Sequence, residues 1–206
     1  MNQPFPEELT PLKVSCTKSD CEMGLHCYLA TTKMVRDNTV GRCRSCGIAL
    51  DDWLRVHERE ISDIAFTFEC LRTEYIRHHF WHIEIDDEAI GHARRKGMRA
   101  LLESVSKRLA QSIGKEKPFR DGTQTPFEGR AVYYAQHATA TCCRKCVEEW
   151  HGIPRGQALT AGELDYLAQL AAQYLKERLN DIAEEGVKAV RKQRGTKRPH
   201  SGRTGL

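Results

Sequence analysis

Between His137 and His151 the chain reads His-Ala-Thr-Ala-Thr-Cys-Cys-Arg-Lys-Cys-Val-Glu-Glu-Trp-His, so three of nine cysteines lie between two histidines. Thiolate and imidazole are the donors zinc prefers, and metal binding is the first chemistry these types and spacings suggest. On a helix beginning near Thr141, Cys146 shares a face with Cys143 and equally with Cys142. Val147 and Trp150 extend that face, so a buried helix surface using cysteine as a small apolar residue explains the same pattern. His151 lies about 140° around the helix from Cys146 and joins a site there only if the helix unwinds at Gly152, before Ile153-Pro154. The expected second centre is therefore Cys143, Cys146, His151 and His82, with Cys142, His78 and His137 as alternatives. His78 and His82 enter because they extend an apolar stripe, Ile64, Phe68, Leu71 and Tyr75, that points inward. An inward histidine needs a hydrogen-bond partner or a metal.

A second set of thiols precedes residue 50. Cys43-Arg44-Ser45-Cys46-Gly47 is a C-x-x-C turn relieved by glycine, and Cys16 and Cys21 form an upstream arm. Two such arms joined by a strand and a turn are the plan of a zinc ribbon, with Cys16, Cys21, Cys43 and Cys46 as ligands. Cys27 alternates with Leu25 and Leu29 and reads as a buried apolar side chain. The C-x-x-C lacks the strand-helix setting of a redox motif. Nine cysteines without an export signal argue for reduced thiols and against a disulfide framework.

The elements that position these residues follow from periodicity. Residues 25–30 and 39–43 read as short strands, and Asp37-Asn38 as the turn between them. Helical spacing governs the stretch from Ile61 through Tyr75. Asp86 or Asp87 caps a following helix that breaks at Gly97, and Met98, Leu101, Leu102, Val105 and Leu109 mark the next. Asp121-Gly122 is a tight turn. Ala131–Gln136 reads as a strand feeding the cysteines. Thr160 and Glu163 form a capping box for a last helix ending near Gly186. The expected fold class is α+β, predominantly α-helical. A small zinc-ribbon-like β module (1–50) precedes a mainly helical domain with one or two short strands (51–185) and a disordered basic tail (186–206).

The net charge of +4 is unevenly placed. Lys188, Arg191, Lys192, Arg194, Lys197, Arg198 and Arg203 follow Glu185 with no acid among them, and removing those seven charges leaves residues 1–185 at −3. The basic character belongs to the tail. No run is long and apolar enough to span a bilayer, and the start lacks the pattern of a signal peptide, which predicts a cytoplasmic protein without membrane contact.

Asp121-Gly122-Thr123-Gln124-Thr125-Pro126, then Gln136-His137-Ala138-Thr139-Ala140-Thr141-Cys142-Cys143-Arg144, Cys146, and Trp150-His151-Gly152-Ile153-Pro154 with Gly156, resemble a bacterial family, domain of unknown function 4186. Leu159, Thr160 and Glu163 fit its L-T-x-x-E step, and Arg95-Lys96-Gly97-Met98 its basic-basic-glycine step. The resemblance covers about residues 63–180, with Trp81-His82 nearest to an aromatic-histidine pair near the start of shorter members. It implies a shared site built from residues 137, 142, 143, 146, 151 and 82, an added N-terminal ribbon, and no substrate.

Three functions fit. The first is a zinc-binding module contacting nucleic acid through the basic tail, aided by a patch at Arg94, Arg95, Lys96 and Arg99. The second is a metal-dependent hydrolase or nuclease centred on residues 137–151, with His137, Asp121 and Glu148 as acid–base partners. The third is a scaffold that binds a protein partner, its clusters acting only as staples.

Overall fold

In the computed structural model the described residues are 15–50, 52–123 and 125–187. They are predominantly helical. In chain order the helices are α1 (Thr32–Arg36), α2 (Trp53–Glu58), α3 (Ile64–Arg72), α4 (Tyr75–His82), α5 (Asp87–Lys96), α6 (Met98–Ser112), α7 (Ala131–Ala138), α8 (Arg144–His151) and α9 (Ala161–Arg178). Extended pairing among the described residues is confined to isolated bridges, Asp20 with Leu25, His26 with Glu74 and Arg42 with Ala49. The expected β ribbon is therefore absent from them, and residues 16–50 are turns, isolated bridges and the short helix α1. The tail beyond Val187 lies outside the described residues.

Ala131–Gln136 is helix, not strand. In α7, Ala131, Val132, Tyr134, Ala135, Gln136, His137 and Ala138 are all buried, because α4 and α9 both pack against it. An apolar run closed in on several sides loses the period that separates helix from strand. α6 also packs on α9, and this group of helices encloses the main core with Phe68, Leu101, Val105, Leu109, Tyr166, Leu167, Leu170 and Tyr174.

Asp86 caps α5 by accepting from Ala89 N, and Thr160 and Glu163 form a reciprocal capping box on α9. α9 ends at Arg178, earlier than Gly186, because Leu179 and Ile182 bury themselves and turn the chain back. Met98 N and Arg99 N then donate to the carbonyls of Ala183 and Glu184, and Val187 N to Arg94 O. Gly97, at φ 79, is where this return segment passes, and a Cβ there would lie 2.2 Å from Gly186 N.

The helix expected through Tyr75 is broken in two. Glu74 is extended (φ −89°, ψ 128°), and Thr73 O and Tyr75 N bond the backbone of His26. The N-terminal segment is thus bolted to the α3–α4 corner. A second apolar cluster, including Tyr28, Cys43, Leu50, Val56, Leu71, Cys142, Cys146 and Trp150, continues the core across this junction.

Candidate metal centres

The first cluster is made by two turns brought face to face. Cys21 starts a single 3₁₀ turn closed by Gly24 at φ 72, and the Asp20–Leu25 bridge carries the chain on to His26. Opposite, Gly47 N donates to Cys43 O (2.8 Å) and Cys43 N to Ile48 O (2.7 Å), which folds the C-x-x-C back on itself. The Ser19 and Ser45 hydroxyls join the arms at 2.7 Å. One ligand atom each from Cys21, His26, Cys43 and Cys46 then lie within 4.8 Å of one another. Cys21 Sγ is 3.8 Å from Cys43 Sγ, and Cys46 Sγ is 3.5 Å from His26 Nδ1.

The fourth member of this group is His26, where the spacing suggested Cys16. The sequence reads Cys16-x₄-Cys21-x₄-His26, so either neighbour sits one equal arm from Cys21, and spacing does not choose between them. Burial raises the Cys43 thiol, but hydrogen bonding at Cys27, Cys46 and Ser45 and the His26 ring overcome it and lower its pKa to about 6. Desolvation and its bonds to Cys46 and Cys43 push Cys21 up to about 11. Cys27 is fully buried, with Sγ donating to Cys16 O at 3.3 Å.

The second cluster is Cys142, Cys143 and Cys146, whose sulfurs also lie within 4.8 Å of one another. α8 starts at Arg144, later than Thr141, so Cys143 is its N-cap and not part of a helical face. Cys143 Sγ accepts from Cys146 N, and Cys142 Sγ donates to Cys146 Sγ, both at 3.5 Å. Arg77 reaches the trio from α4 and donates from Nη2 to Cys146 Sγ at 3.3 Å. Bonds from Cys142 and Cys143, with Arg77 opposing the cost of burial, hold Cys146 far below the ordinary thiol range, whereas Cys142 is driven up. The bond to Cys142 lowers Cys143, but its bond to Cys146 and burial outweigh that and raise it to about 11. Among the three sulfurs, negative charge is favoured most at Cys146, the one that faces a guanidinium.

Arg77 is 2 % exposed and was not singled out by the sequence. Its Nε donates to Glu74 Oε2 at 3.0 Å and its Nη1 to His137 O at 2.6 Å. Glu74 also accepts from Trp150 Nε1 (2.6 Å) and from Tyr28 N (3.2 Å). Burial works against the Arg77 charge, but Cys146 and Glu74 sustain it and push its pKa up. The two buried charges are satisfied on all sides, the condition under which such a pair survives desolvation. The helix break at Thr73–Glu74 is the local signal of this arrangement, since a carboxylate aimed inward ends the α3 face.

The histidines expected at the second centre are placed elsewhere. His151 is the last residue of α8, fully buried, with Nε2 bonded to Thr139 O at 3.0 Å and Nδ1 buried without a partner. Burial depresses its pKa to about 3. Gly152 does end the helix (φ 63), but its N–H caps Glu148 O and leaves His151 helical. His82 is exposed on α4, its ring 4.0 Å from that of half-buried His78. The stripe that seemed to point them inward was two helices read as one.

His137 stacks against both Phe80 and Phe127, which also contact each other, and its Nε2 bonds Pro126 O at 3.1 Å. Burial and Arg77 lower its pKa to about 4. Glu148 is paired with Arg155 at 2.7 Å. The rest of the signature is also structural. Arg144 is buried and donates to the carbonyls of Ile113, Pro154 and Gln157, and Thr139 and Thr141 bond each other and the end of α7.

Cys16 lies apart from the first cluster. Burial raises its thiol, and the next charges that act on it are Arg77 and Cys146. Cys16 is exposed and is not among the sulfurs that converge in either cluster.

Residues 65–176 match the family described as Domain of unknown function (DUF4186). The match spans more than half of the chain, and the protein belongs to this family. The second cluster and Arg77 fall inside the matched residues, and the first cluster falls before them. No solved structure matches the chain. No described helix is long and apolar enough to cross a membrane.

Proposed function

We propose that this member of the DUF4186 family is a zinc-binding module in which both metal centres are structural, and that it acts by binding a partner. The observation that carries the reading is the convergence of Cys21, His26, Cys43 and Cys46 within 4.8 Å. Two thiol turns with a histidine form a four-donor set of the Cys₃His kind, which fills a tetrahedral zinc and leaves no position for substrate. For the second centre we assign Cys142, Cys143 and Cys146, with Cys16 as the fourth donor in place of His151 or His82. What supports Cys16 is that Arg77 and Cys146 act on its thiol and that Cys27 anchors its carbonyl; its sulfur is not among the three that already converge. Zinc here would join the segment before residue 30 to the family domain. The nucleic-acid contact expected of the basic tail remains part of this proposal, and its residues 188–206 lie outside those described.

The second reading is a metal-dependent hydrolase at the same trio, favoured by there being three convergent sulfurs and not four. Against it, two of the three acid–base partners proposed for it, His137 and Glu148, are held in other bonds. Cobalt substitution separates the two. Four-sulfur coordination at the second centre, lost in Cys16→Ser with one donor replaced by oxygen, supports the structural reading. A spectrum indifferent to Cys16→Ser, with an exchangeable oxygen donor in the parent protein, supports the hydrolase.

A further inference from the structure

On the face of the family domain formed by α5, α6 and the start of α7, a cleft of about 370 Å³ opens between the helices. Its walls carry His92 and Lys96 from α5, Lys107 and Arg108 from α6, and Arg130 and Tyr133 at the start of α7. No carboxylate lines it. Three elements thus turn four permanent cations toward one space in a body whose net charge is negative.

Like charges brought together on a folded surface repel, and the repulsion grows as the walls exclude water. Lys96 registers it: burial, then Arg130 and Lys107, lower its pKa. Lys96, Lys107 and Arg130 make no ion pair with any described residue, and Glu103, which lies outside the lining, offsets the charge on Lys96 only in part. His92 adds a second unmet demand, because its Nδ1 is buried without a hydrogen-bond partner. A buried polar atom left unpaired points to a partner from outside the chain.

Arg108 is held in position. Its Nε donates to Gln136 Oε1 at 3.3 Å, and its guanidinium lies 5.1 Å from the Tyr133 ring centroid. Gln136 in turn donates to Thr141 O at 3.0 Å, next to Cys142. The floor of the cleft is therefore tied to the second cysteine cluster through one buried amide. Cations fixed by a rigid scaffold around a concave space are the arrangement that favours a compact, highly charged anion.

We propose that this cleft is a phosphate-binding site, in which Lys96, Lys107, Arg108 and Arg130 surround the phosphate and His92 is hydrogen-bonded by it. A phosphate brings two negative charges and several acceptor oxygens into a space lined by four cations and no carboxylate. The volume admits a phosphate with a small organic group attached. The same chemistry is offered by a small phosphate ester and by the backbone of a nucleic acid. The inference is independent of the metal reading, since none of these residues is a cluster donor.

The test is calorimetric titration of the full-length protein with inorganic pyrophosphate, then displacement by ATP and by a ten-residue oligodeoxythymidylate. Two double variants of equal charge are compared. Lys107→Gln with Arg130→Gln removes two exposed cations from the cleft, and Lys33→Gln with Lys176→Gln removes two exposed cations elsewhere. The expected result is pyrophosphate binding that weakens at least about tenfold in the cleft variant and is unchanged in the other. Displacement by ATP alone assigns the site to small phosphate esters, and displacement by the oligonucleotide assigns it to a nucleic-acid backbone. Absence of pyrophosphate binding, or equal weakening in both variants, overturns the proposal. Zinc content measured on the same samples keeps a failure of the metal reading separate from this result.

Discussion

Arg77 is the residue on which most of the chemistry turns. It touches Glu74, the His137 carbonyl and the Cys146 sulfur, and is almost wholly buried. Replacing it by glutamine leaves the Glu74 carboxylate buried opposite a neutral side chain. We predict that Arg77→Gln lowers unfolding free energy by about 3–5 kcal/mol. Glu74→Gln combined with it should cost clearly less than the sum of the two single variants, because the pair acts as a unit. Urea denaturation measures both, and a loss below about 1 kcal/mol for Arg77→Gln would remove this residue from the account. None of this was legible in the sequence, where Arg77 sits among Tyr75, Ile76, His78 and His79 as one basic residue in a helical stretch. The proposed donors were half legible. Cys43 and Cys46 declare themselves by C-x-x-C, but equal arms on either side of Cys21 leave Cys16 and His26 indistinguishable until tertiary contacts fix the His26 backbone to Thr73 and Tyr75.

At the level of elements, caps and breaks were readable wherever their cause is local. The Asp86 cap, the Thr160–Glu163 box and the stop at Gly97 each depend on a few adjacent residues, and each is found. α7 and the α3–α4 break were not readable, because their causes are distant: burial of α7 between α4 and α9, and pairing of Glu74 with His26. Gly97 allows a further check. Alanine there must hold φ 79 and place its Cβ 2.2 Å from Gly186 N, so either the strain is borne or residues 183–187 leave their seat. We predict that Gly97→Ala destabilises by about 1–3 kcal/mol and exposes the chain after Leu179 to proteolysis. Gly162→Ala, in open space in the first turn of α9, should be neutral or stabilising by up to about 1 kcal/mol. Thermal melts of the two variants decide, and equal melting temperatures would contradict the argument.

For the whole molecule, two cysteine clusters flank one junction. The first belongs to turns that precede the family domain, the second to the domain itself, and Tyr28, Trp150, Glu74 and Arg77 fill the space between. Zinc at both places would make the N-terminal segment and the domain one cooperative unit, since metal binding energy enters folding directly. The cationic cleft on the α5–α6–α7 face would then be the working surface of a body held together by metal.

The central claim is the existence of two independent metal centres, and zinc counting tests it most directly. Protein purified without added metal should carry two zinc equivalents per chain by native mass spectrometry. Cys46→Ala should carry one, and Cys46→Ala combined with Cys146→Ala should carry none. A parent protein that stays metal-free after zinc is supplied, or a Cys46→Ala variant that still binds two equivalents, would contradict the account.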